Sequence, residues 1–146
     1  MSGKTGMGML MTTLPSKNAA TKIAQKLIDE RLVACVQLYG MESFYRWQGE
    51  TVNAPETLLM IKTKVALFDA AMARIKELHP YSVPEIVGTE FSVGLPAYFA
   101  WIDESTTAKE VKKKPDAPKE KTRGGQVSAR ASTRVKTGLI QRMRRK

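Results

Sequence analysis

Residues 79–88, HPYSVPEIVG, hold the densest set of groups able to do chemistry: His79, which is the single histidine of the chain, with Tyr81 and Glu85. An imidazole beside a carboxylate suits zinc or copper, but a metal site needs three or four converging donors. One histidine per chain therefore has to recruit carboxylates such as Glu85 or Glu56, or donors from a neighbouring subunit. A second role is open to His79. At the end of a helix its ring can bond a free carbonyl, and its cationic form suits the helix dipole. Pro80 and Pro84 break regular structure on either side, and Pro84 biases Val83 toward extended geometry, so the stretch also reads as a helix stop and a strand launch.

Other reactive side chains are sparse. Cys35 sits in an apolar segment and reads as an inert core thiol, and a nucleophile would need a histidine and an orienting partner beside it. Lys62 interrupts the apolar run TLLMIKT, and a buried ammonium needs an anion, either an internal partner such as Glu85 or a ligand. GKTG at 3–6 lacks the preceding glycine of a phosphate loop, and GMGMLM lacks the third glycine of a dinucleotide fingerprint. No nucleophile–base–orienter set is visible, so a non-enzymatic protein is expected.

The elements that must position these residues follow from periodicity. Residues 7–14 form a short apolar strand. Ser16 caps a helix whose buried stripe is Ala20, Ile23, Ala24, Leu27 and Ile28. Residues 33–38 and 41–47 are β-rich, with a bend or bulge expected at Gly40 and a turn at 48–50. Residues 57–63 return as a buried strand. Leu67, Phe68, Ala71, Met72, Ile75 and Leu78 predict a second helix, stopped by Pro80. A fourth strand is expected over 85–93 and a closing helix over 96–102, with proline in its first turn. Strand, helix, strand, strand, helix, strand is the α+β, ferredoxin-like βαββαβ order, an antiparallel sheet with both helices on one face. Leu58, Met60, Val36 and Leu38 make the other face too apolar for water, which implies an oligomer.

Charge divides the chain. Residues 1–105 carry 10 Lys/Arg against 11 Asp/Glu, whereas residues 106–146 carry 14 against 3, so the net charge of +10 resides in the tail. We read 1–105 as the folded domain and 106–146 as a disordered basic tail. Such a tail suits a polyanion, nucleic acid or acidic protein, although no aromatic residue in it could stack on a base. No apolar run approaches the roughly 20 residues that span a bilayer, so no membrane insertion is expected. The N-terminus lacks a secretory pattern, and a cytoplasmic protein is expected.

Five stretches in order, VACVQL (33–38), SFYRWQGE (43–50), ETLLMIKT (56–63), HPYSVPEI (79–86) and AYFAWIDEST (97–106), resemble the CutA divalent-ion-tolerance family. The resemblance implies a homotrimer of PII-like architecture, whose long second and third strands pair between subunits. It further implies a role in divalent-metal, including copper, tolerance, with no established enzymatic activity. It places the turn after the second helix at an inter-subunit cleft, for which Trp47, Lys62, Tyr81 and Glu85 are the expected ligand-binding residues and His79 the expected metal ligand. A divalent ion, copper or zinc, would not be required for folding. Copper-binding members offer a first-strand thiol and a His-His pair before Pro-Tyr; here those positions hold Thr12 and Leu78 followed by His79.

Overall fold

The computed structural model describes residues 3–107. The expected tail, apart from Thr106 and Thr107, lies outside the described residues. Strand β1 (Met7–Leu14) leads into helix α1 (Lys17–Asp29), then strands β2 (Cys35–Trp47) and β3 (Glu50–Lys64). A single 3-10 turn joins β3 to helix α2 (Phe68–Leu78), which is followed by strand β4 (Val87–Glu90) and helix α3 (Pro96–Ser105). The sheet order is β2-β3-β1-β4, with every neighbouring pair antiparallel. The βαββαβ order with an added helix is as the sequence pattern requires.

Alternation sets the layers. Leu10 and Leu14 of β1 and Leu59 and Ile61 of β3 point toward α1 and α2, where they meet Ala20, Ile23, Leu27, Ala71 and Ile75 in a sealed core. The Ser16 hydroxyl accepts from the Ala19 amide at 3.2 Å, starting α1 as expected. Gly8 is sterically required: a Cβ there would stand 2.5 Å from the Thr89 carbonyl oxygen and 2.6 Å from the Phe68 ring.

The opposite face differs from expectation in two ways. Val36 and Leu38 pack against the core on the helix side, so of those four only Leu58 and Met60 lie on the open face, where Met9, Met11 and Tyr39 join them. Part of that face is also covered, because α3 lies against β3. Asp103 Oδ1 is 2.9 Å from Lys64 Nζ, and Tyr98 stands beside Cys35. The periodic signal could not supply this, since which face a closing helix covers depends on the path of the chain before it.

Strand lengths depart from expectation too. β2 and β3 pair without interruption from Cys35↔Lys62 to Trp47↔Glu50, so Gly40, opposite Thr57, is neither bend nor bulge. β1 covers β3 only from Thr57 to Lys64. Residues 41–47 and 50–56 therefore project as a two-stranded arm beyond the sheet. Gln48 (φ 48°) and Gly49 (φ 83°) close it with the positive-φ pair that matches strand twist. The fourth strand is shorter than expected, pairing only at Val87–Glu90 with residues 8–11 of β1.

Candidate functional site

His79 caps the end of α2 and is only 2% exposed. Its Nδ1 accepts the Tyr81 amide at 3.1 Å, which makes this the Nε2-protonated, neutral tautomer; Nε2 then donates to the Thr13 carbonyl at 2.9 Å. Both ring nitrogens are thus engaged by backbone, tying the 79–81 turn to the end of β1. A metal at either nitrogen would have to displace one of these bonds. Among the described residues no group of three or more His, Cys, Asp or Glu could hold a metal ion. The donors of one protomer therefore do not fit a metal centre. Thr12 is fully buried, and its hydroxyl has no hydrogen-bond partner among the described residues.

The turn held by His79 delivers Tyr81 to the base of the arm. Its ring lies 5.1 Å from the imidazole, and its hydroxyl donates to Glu56 Oε1 at 2.9 Å. Glu56 is 8% exposed, an acidic side chain on the alternating positions Val52, Ala54 and Glu56 that the arm buries. Around this pair opens a cavity of about 390 Å³, lined by Phe44, Tyr45 and Trp47 from β2 together with Glu56, Tyr81 and Glu85. Among the described residues no Lys or Arg lines it. Burial first, and then the charge of Glu56, push the Tyr45 phenol above its ordinary value. The Trp47 indole Nε1 is buried without a hydrogen-bond partner among the described residues.

Three of the four expected ligand-binding residues, Trp47, Tyr81 and Glu85, thus meet in one cavity. Lys62 does not join them. It lies opposite Cys35 on the open face, and its ammonium bonds Gln37 Oε1 rather than Glu85, the internal partner offered as one alternative. Cys35 opens β2 while the cavity residues close it, a separation of 8–12 strand residues or roughly 25–40 Å. Glu56 and Tyr45 were outside the expected ligand-binding set. A carboxylate on a strand whose neighbours at two-residue steps are Ala54 and Leu58 is the signal for Glu56. Tyr45 has no comparable mark, since tyrosine is ordinary in a strand.

A larger groove, about 690 Å³, runs along α1 to Leu78 and Pro80. Among the described residues it contains no aromatic ring, and its polar residues, among them Lys22, Lys26 and Asp29, are all exposed. The smaller cavity, with a buried carboxylate and a buried indole N–H, is the better-built site.

Residues 8–105 match the family model described as CutA1 divalent ion tolerance protein. A relative from Thermus thermophilus, Divalent-cation tolerance protein CutA, is 44% identical over 99 residues, covering 67% of this chain and 96% of its own length. The rice relative Protein CutA 1, chloroplastic, is 37% identical, with 67% of this chain and 56% of the relative covered, so the chain spans little more than half of that protein. The crystal structure of CutA from Xylella fastidiosa superposes with a TM-score of 0.69 at 38% identity, over 70% of this chain and 100% of that one.

Proposed function

This chain belongs to the CutA1 divalent ion tolerance family, and from that premise we propose that it is a non-enzymatic homotrimer of divalent-cation tolerance whose inter-subunit clefts take an ion or small ligand. The carrying observation is the arm. A two-stranded ribbon is marginal in water, and this one leaves Phe44 71% exposed, while Tyr39 on the open face is 65% exposed. Pairing of the arm with a neighbouring copy supplies the missing contacts and places the cavity at its base between subunits. His79 then acts as the tie that holds Tyr81 and Glu56 in the cleft. Copper or zinc, if it is the ligand, draws donors from more than one subunit, because one protomer does not assemble them.

Light scattering of the full chain tests the assembly: three times the 16.2 kDa protomer is expected, and Tyr39→Asp shifts the mass toward one protomer. A wild-type monomer overturns the reading. Calorimetric titration with Cu²⁺ and Zn²⁺ tests the ion: saturation at one site per protomer, weakened in His79→Ala, is expected of a cleft metal, and heats indifferent to His79, Glu56 and Glu85 argue against one.

The charge partition favours a second reading, in which the trimer presents three basic tails (106–146) and gains avidity for a polyanion. Removing the tail would abolish such binding and leave the trimer intact. We also propose a cytoplasmic location, while the rice relative's name says chloroplastic.

A further inference from the structure

From the lining of the cavity at the arm's base we infer that its ligand is an organic ammonium, held by Glu56 and the rings of Trp47, Tyr45 and Tyr81. This rests on the cleft reading above and names the class of ligand for that same site.

Charge comes first. Two carboxylates, Glu56 and Glu85, line the cavity and among the described residues no basic side chain does, so its potential favours a cation. Burial raises the Tyr45 phenol first, and the Glu56 charge beside it adds to that rise. The donor set then separates kinds of cation. A divalent metal strips its hydration shell only for several hard or imidazole donors. Here one carboxylate oxygen of Glu56 is already bonded by Tyr81, both nitrogens of His79 are bonded by backbone, and no three-donor group exists among the described residues. Four of its nine lining residues, Phe44, Tyr45, Trp47 and Tyr81, are aromatic. Aromatic faces attract weakly hydrated organic cations, and a nearby carboxylate completes the usual recognition of an ammonium group. About 390 Å³ falls within the range of small-ligand sites and is far more than a bare ion fills. The unpartnered Trp47 N–H supplies a donor for an oxygen elsewhere on the same molecule.

The test uses the full chain in a Trp101→Phe background, which leaves Trp47 as the sole tryptophan. Its fluorescence is titrated with tetramethylammonium chloride, methylammonium chloride and ZnCl₂, each against NaCl at matched ionic strength. A saturable response to an ammonium ion is expected, weakened about tenfold or more by Glu56→Gln. By calorimetry it weakens severalfold in Trp47→Leu and is largely kept in Trp47→Phe. Because Glu56 is buried and its variant can perturb folding, exposed Glu85→Gln serves as the second variant, with a severalfold loss expected. No saturable ammonium response, or one unchanged in both carboxylate variants, overturns the inference. Zinc saturation that needs Glu56, without any ammonium response, overturns the ligand class and leaves the cleft reading standing. Failure of every probe in a chain that still scatters as a trimer overturns both.

Discussion

The two halves of the β2–β3 ribbon share one register yet live in different environments. From Cys35 to Gly40, opposite Thr57–Lys62, the ribbon lies inside a four-stranded sheet, with Leu59 and Ile61 sealed under two helices. From Met41 to Trp47, opposite Glu50–Glu56, the same strands continue with no third strand beside them. In the first half hydrophobic burial within the protomer sets stability. In the second, the buried positions Val52, Ala54 and Glu56 belong to a face that also builds the cavity, so polar chemistry and packing share the same residues. A strand can thus be continuous in hydrogen bonding while its two ends serve fold and function separately.

The contrast is sharpest on truncating the sealed half. Leu59→Ala is expected to cost about 2–5 kcal/mol by denaturant unfolding, against about 1 kcal/mol for Val52→Ala in the arm. Equal losses would mean that the arm belongs to the core. Next comes the junction. His79→Ala leaves the Tyr81 amide and the Thr13 carbonyl without their buried partner, for an expected loss of about 2–4 kcal/mol, and slackens the turn that delivers Tyr81 to Glu56. An amide-proton spectrum should move at both Tyr81 and the cavity residues; changes confined to the helix end would uncouple the two halves. Tyr81→Phe removes the hydrogen bond to Glu56 and should cost about 1–3 kcal/mol.

Smaller effects separate the halves by backbone. Gly49→Ala meets open space but forces φ 83° on an alanine, for about 1 kcal/mol. Gly40→Ala, in regular strand with equal room, should be neutral or stabilising by about 0.5 kcal/mol. The least effect is alkaline. The Tyr45 phenol is raised in the folded arm, so its contribution is fully present below the ordinary phenol value near pH 10 and is lost as pH rises through the folded value. Unfolding followed above that pH should steepen less in Tyr45→Phe than in the wild type.

Much of this molecule was legible in its residue order. Three- and four-residue spacing placed α1 and α2, Ser16 and Pro96 marked helix starts, and alternation placed β1, because these signals act within a few residues of chain. The same locality hid the rest. Nothing near Gly40 said that its strand would run on unbroken, since pairing with Thr57 across the ribbon decides that. By charge Glu85 could partner Lys62, until the register put Lys62 on the open face beside Gln37 and Glu85 at the cavity. For His79 the residue type was informative and its role was not. An imidazole is ligand or brace according to what its two nitrogens meet. Here the tertiary structure brings the Thr13 carbonyl to one and the Tyr81 amide to the other. Sequence alone determined which elements form and where charge accumulates. Only the folding of distant strands onto one another decided which side chains share a cavity, because shared burial is a property of the packed chain and not of its order.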